Sequence, residues 1–141
     1  MTGNPGNIVK TSEFDTQYNC IAWAAGDTDN WWWPKVNPNR KSYWPEGAPN
    51  EETLDAFIKA FERLGYMECV DSLLENGYGK IAIYCDRDQT PTHASRQLPD
   101  GQWTSKLGRH VDVSHDFEGL SMVPFFAHEY GNIVVLMKKQ I

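Results

Sequence analysis

The chain has no cluster of lysine and arginine; 13 basic residues stand against 19 acidic ones, for a net charge of −6. That balance argues against a general nucleic-acid binder, whose phosphate contacts need a basic patch. Long apolar runs are missing too: no stretch approaches the ~20 residues of a membrane-spanning helix. Residues 1–10 hold no apolar core of the kind that marks a secretory signal. A cytoplasmic protein without membrane or nucleic-acid contacts is therefore expected, export by a non-standard route not excluded. Cysteine is scarce as well. Cys20, Cys69 and Cys85 are odd in number, at spacings that suit neither a disulfide framework nor a zinc site. Reduced thiols, with no metal and no cofactor, are the simplest reading.

What is present describes one globular domain. The 141 residues are 40% apolar and 23% charged, enough for a real core without covalent staples. Residues 1–17 read as a flexible lead-in and 18–141 as the domain. Its organising stretch is Tyr18-Asn19-Cys20-Ile21-Ala22-Trp23-Ala24-Ala25-Gly26. Asp15 or Thr16 can cap a helix that opens at Cys20, and Gly26 can end it in a left-handed turn. A helix start carries free N–H groups and partial positive charge, which favour a thiolate.

Residues 27–49 break every period, with Pro34, Pro38, Pro45, Pro49 and Gly47 among Trp31, Trp32, Trp33, Tyr43 and Trp44. Such rings either fasten a long loop to the core or wall a binding cleft, and different rings can do each. Leu54, Phe57, Ile58, Phe61 and Leu64 then trace one helical stripe, with Asn50 as its cap and Gly65 as its stop. Tyr66–Val70 suits a short strand and residues 71–79 a loop. From Lys80 the period becomes that of a strand, through Cys85. Thr92–Leu98 and Gln102–Leu107 flank Pro99-Asp100-Gly101, a hairpin turn. With Leu98 and Gln102 beside that turn, Ser95 faces Ser105, and His93 and Ser105 share a face as diagonal neighbours. Residues 108–130 give no clear frame. They hold His110, Asp112, His115, Asp116 and His128, whose spacings suit a solvated loop or short helix better than a metal site. Ile133–Met137 closes the chain as a strand.

Helical periods before residue 65 and strand periods after residue 79 predict an α+β domain with an antiparallel sheet of about four to six strands. The helix at Cys20 and the one at Leu54–Leu64 should pack on it. Leu54, Phe57, Ile58, Phe61, Ile81, Ile83, Val135 and Leu136 should form most of the core.

A Cys-led helix followed by strands around Ile81–Tyr84, His93–Leu98 and Trp103–Leu107 resembles the compact papain-like fold of NlpC-type cysteine peptidases. Tyr18-Asn19-Cys20 is similar to that family's entry to its nucleophile helix, and His93 and Ser105 to its base and third polar residue. Asn-Cys-Ile-Ala-Trp-Ala, Trp-Trp-Trp-Pro, Thr-His-Ala and Trp-Thr-Ser-Lys-Leu-Gly resemble, more specifically and over most of residues 18–137, an uncharacterised bacterial domain family.

The resemblance implies a nucleophile helix packed on an antiparallel sheet, interrupted by a Trp-rich insertion at 27–49. It also implies acyl transfer on a peptide or amide substrate, as hydrolysis, transpeptidation or deamidation. Cys20 would attack, His93 would move the proton and Ser105 would orient the imidazole. Trp31, Trp32, Trp33 and Trp44 would line the substrate cleft. The alternative is a non-catalytic binding or protein-interaction module with the Trp-rich segment as its recognition loop. An inert, buried Cys20 would favour that alternative.

Overall fold

A computed structural model describes residues 8–12, 17–35, 42–107 and 111–141. Asn19 starts the first helix, α1 (Cys20–Ala25): its Oδ1 accepts the Ala22 N–H at 3.0 Å. The same amide accepts the Trp32 N–H and donates to the Trp32 carbonyl at 2.7 Å, so one buried side chain caps the helix and fastens the next segment to it. Asp15 and Thr16, the expected caps, lie outside the described residues. Gly26 ends α1 at φ 85°, as expected of a left-handed stop.

Two short strands stand where no period is read in the sequence. Here β2 (Trp31–Trp32) pairs in parallel with β3 (Ser42–Tyr43). The second helix, α2 (Leu54–Glu62), is capped by Thr53 rather than Asn50, through its hydroxyl and the Ala56 N–H. Its stripe of Ala56, Phe57, Ala60 and Phe61 is fully buried.

The remaining strands and one N-terminal strand make a single seven-stranded antiparallel sheet, one strand wider than the expected upper limit. In chain order they are β1 (Val9–Lys10), β4 (Met67–Cys69), β5 (Tyr78–Cys85), β6 (Pro91–Gln97), β7 (Trp103–Lys106), β8 (Asp112–His115) and β9 (Asn132–Gln140). Across the sheet they run β1-β8-β7-β6-β5-β9-β4. The β6–β7 hairpin has the expected register, Arg96 opposite Thr104 and Gln97 opposite Trp103, closed by Leu98 N–H to Gln102 O at 2.7 Å. Two elements were not expected. Val9 and Lys10, in the supposed lead-in, pair with β8, and β8 itself falls where a loop or short helix was read. A 3-10 turn (Leu120–Met122) and α3 (Pro124–Tyr130) follow it.

Both faces of the sheet are covered, giving two cores. Ile81, Ile83, Ala94 and Met137 meet Cys20, Ile21, Ala22, Phe57 and Phe61 on the face under α1 and α2. Ala82, Tyr84 and Trp103 meet Leu120 on the other, with Phe117, Phe126, Tyr130 and Leu136 packed around them. Of the expected core, Phe57, Phe61, Ile81 and Ile83 are fully buried, while Leu54, Ile58, Val135 and Leu136 sit at its margins.

The second cover is held by a tight joint. Gly131 follows α3 at φ 75° and ψ −140°, and a Cβ there would lie 1.9 Å from the Cys85 carbonyl oxygen. Gly131→Ala should cost on the order of 3 kcal/mol in denaturant unfolding, since backbone strain and a clash with main chain add. Gly26→Ala, with open space around its Cβ, should cost only the left-handed penalty of about 1–2 kcal/mol.

Candidate functional site

The sheet's pleat decides what Cys20 and His93 can do together. Side chains alternate between faces along β6. Ala94, opposite Ile83, belongs to the core that holds Cys20; His93, opposite Tyr84, points to the other face. There the imidazole stacks on Tyr130 (ring centroids 4.2 Å, 25°) and meets Tyr84 edge-on at 5.0 Å. It is fully buried, and among the described residues neither ring nitrogen has a hydrogen-bond partner. The structure therefore does not bring Cys20 and His93 together as a hydrogen-bonded pair.

Each group is also held neutral. Burial pushes the Cys20 thiol up to about 11, against smaller opposing effects from the N–H groups of Ala94, Ile21 and Cys20 itself and from the charge of Lys106. Burial, then the nearby His115, pulls His93 down to about 3. The electrostatic benefit of a helix start is real but small here, because desolvation of a thiolate outweighs it.

Ser105 orients a histidine, but it is His115 rather than the expected His93. Its Oγ lies 2.7 Å from Nε2 of His115, whose Nδ1 is 2.6 Å from the Asp116 carbonyl. A carbonyl only accepts, so Nδ1 carries the proton and the Ser105 hydroxyl donates to Nε2. Burial, as the largest effect, holds His115 below its ordinary range. Asp112 accepts the hydroxyls of Tyr18 at 2.8 Å and Ser12 at 2.6 Å, opposite Lys106, whose amine sits 5.0 Å from the Tyr18 ring centre. Asp116 takes the Gln102 amide, and His128 is exposed. His110 lies outside the described residues. Among the described residues no three metal-ligating side chains converge.

The tryptophans are mostly walls of the protein itself. Trp32 is buried, its indole N–H on Asp27 at 2.8 Å. Trp33 and Trp44 pack on Phe57 at 5.3 and 4.9 Å, and Trp31 is half-buried within the β2–β3 ladder. The anchoring reading of these rings accounts for their contacts.

A different surface, read from the sequence only as a loop, is built with more care. Beyond β4 the chain crosses the ends of β5 and β9 as a strap, residues 70–77. Its two carboxylates reach back to lysines of the sheet. The Lys80 amine, on a side chain 1% exposed, binds Asp71 Oδ1 at 2.9 Å and the Asp71 carbonyl at 3.1 Å, and pairs with Glu75 at 3.5 Å. Lys138 pairs with Glu75 at 3.0 Å, and Gln97 donates to the Ser72 carbonyl at 2.9 Å. Its apolar groups point outward: Val70 is 96% exposed, Leu73 70% and Leu74 55%, beside Met67 at 57%. Between the strap and the strand ends opens a cavity of about 370 Å³, walled by Tyr66, Leu74, Tyr78, Leu98 and Ile141, with Arg96 at its side. The sequence signal for this surface was three aliphatic residues in a segment that a solvated loop does not need.

Residues 9–138 match a family described as a domain of unknown function, DUF7689, and the chain belongs to that family. No curated protein and no solved structure matches it.

The buried imidazoles set a pH dependence. His93 is neutral in the fold, whereas the unfolded chain takes up a proton there below its ordinary 6.5. Stability is then complete above pH 6.5 and falls as pH drops towards 3, by up to about 1.4 kcal/mol per pH unit for this one group. His115, shifted the same way, steepens the fall. Denaturant unfolding at pH 7.5, 6 and 5 should show this slope, and His93→Phe should reduce it. A slope unchanged in that variant would mean that His93 is solvated and free to titrate in the fold.

Proposed function

We propose that the chain is a non-catalytic protein-interaction module that takes an apolar segment of a partner polypeptide on the strap and the cavity beside it. The observation that carries this reading is the strap's reversed polarity. The Asp71 and Glu75 carboxylates, though partly exposed, reach back to the buried Lys80, Glu75 also to Lys138, and the Ser72 backbone carbonyl takes the Gln97 amide, while the aliphatic side chains face water. A buried ammonium is expensive unless paired and hydrogen-bonded, so the strap is fixed in this orientation. Contiguous exposed apolar surface on a fixed frame is the usual mark of a partner site.

The buried thiol supports the same reading from the other side. A thiol near 11 is ionised to roughly one part in ten thousand at pH 7, and the nearest histidine on β6 faces away from it. An acyl-transfer enzyme built on Cys20, His93 and Ser105, and with it the papain-like assignment, would need nucleophile and base on one face of the sheet. The antiparallel α+β architecture remains as the common ground of both readings.

Iodoacetamide at pH 7 should label the partly exposed Cys69 first, leaving Cys20 unmodified until the chain unfolds. Val70→Asp with Leu73→Asp should leave unfolding stability within about 0.5 kcal/mol, as exposed substitutions do. The same double variant should lose any partner that the native chain retains in quantitative cross-linking. Rapid Cys20 labelling that tracks an amidase activity would overturn the proposal. So would a partner held equally well by the double variant.

A further inference from the structure

We infer that the cavity beside the strap is a receptor for the chain end of a partner polypeptide: an apolar C-terminal side chain enters it, and the terminal carboxylate meets Arg96 and Lys139. This rests on the interaction-module reading and adds the chemical group recognised.

Charge is the first observation. In a protein of net charge −6, Arg96 in the cavity wall and Lys139 just outside it both lie near one aromatic ring of that wall, Tyr66, and neither forms an ion pair among the described residues. The Lys139 amine lies 5.7 Å from the Tyr66 ring centre, and the Arg96 charge is close enough to act on the Tyr66 hydroxyl. Arg96 is preorganised: its Nε donates to the Trp23 carbonyl at 3.2 Å and its guanidinium lies 4.9 Å from the Trp23 ring centre. That leaves the outer nitrogens of a fork suited to a carboxylate. Of the carboxylates near this corner, Glu75 is already paired with Lys138 and Lys80, and Asp112 acts on the Arg96 charge without forming an ion pair with it.

Shape is the second. About 370 Å³ lies near the lower end of ligand cavities, roughly 300–1,000 Å³, and suits one or two side chains rather than a dinucleotide-sized cofactor. Gly79 lines the cavity without a side chain of its own, and the Ile141 side chain stands 3.5 Å from where its Cβ would be. Leu74 belongs both to the cavity and to the exposed strap, so the apolar surface continues outward past Leu73 and Val70. A free acid would end inside the cavity. A polypeptide would fill it with its last residue and lay the preceding ones on the strap.

Titrating the full ¹⁵N-labelled chain with acetyl-Gly-Ser-Leu as free acid, its C-terminal amide and 4-methylpentanoate separates the possibilities. The free-acid peptide should shift the Tyr66, Gly79 and Leu98 amides saturably, and amidation should weaken binding about tenfold or more, as expected for a lost charge-assisted pair. Lys139→Gln, at a half-exposed site with no ion pair to lose, should weaken the free acid and leave the amide unchanged. Arg96→Gln should do the same, and Arg96→Lys should restore part of the loss where Arg96→Gln disturbs folding through Trp23. Equal binding of acid and amide overturns the inference, as does 4-methylpentanoate binding as tightly as the peptide. Shifts confined to other residues, or no saturable shift, overturn it too. If the peptides fail while Val70→Asp with Leu73→Asp still loses a cross-linked partner, the chain-end inference falls and the interaction surface stands.

Discussion

The two-residue period of β6 is the constraint on which the rest of this structure turns. His93 and Ala94 are chain neighbours, yet the pleat sends them to opposite sides of a sheet covered on both. Ala94 has to be small, because α1 lies directly on it with Cys20, Ile21 and Ala22 at the contact. His93 instead fills a slot between Tyr84 and Tyr130, where its flat ring is useful and its nitrogens are not. Slipping β6 by one residue would put an imidazole under α1 and an alanine in an aromatic slot, so register here is fixed from both faces at once.

Such a two-sided sheet has to dispose of polar side chains on both faces, and it does so in pairs. Ser105 satisfies His115, Asp112 gathers Tyr18 and Ser12, and Thr104 takes the Trp23 indole N–H at 3.0 Å while donating to the Val113 carbonyl. Each pair lowers the cost of burying its members, as a polar group without a partner loses its hydration outright. Of the residues that look like a catalytic inventory in one dimension, Ser105 goes to His115, whereas Cys20 lies in the core under α1 and His93 between two aromatic rings on the other face. The same economy explains the strap, where Lys80 is tolerable under the sheet's edge only because Asp71 and Glu75 reach in to meet it.

What the sequence disclosed, and what it hid, follows the range of the forces concerned. The α2 stripe, the stop at Gly26 and the β6–β7 register are set by residues within a few positions of one another, and all three can be read directly. The caps are harder: Asn19 caps α1 while also bonded to Trp32, and Thr53 rather than Asn50 caps α2, because a cap is set by where the helix begins in space. β1 and β8 are too short to show a period: β8 is held by its ladder with β7, and β1 only by pairing with β8 across about a hundred residues. The relation between Cys20 and His93 is hidden from the sequence for a related reason. Cys at a helix start and His on a strand are local facts, whereas the face each occupies depends on the whole sheet.

The strap extends this to function. A local reading assigns Val70, Leu73 and Leu74 to a loop and looks for recognition among the tryptophans, because large rings announce themselves. Yet a ring is most useful as a wall when something else must stay in place. Trp33 and Trp44 brace Phe57, Phe57 and Phe61 hold α2 to the sheet, and Phe61 meets the Tyr66 ring edge-on at 5.6 Å. Tyr66 in turn leads directly into β4 and the strap. The aromatic segment thus bears on the exposed surface through a continuous series of packed side chains, as its support rather than as the surface itself. The modest aliphatic residues at the end of that series are the ones left facing water.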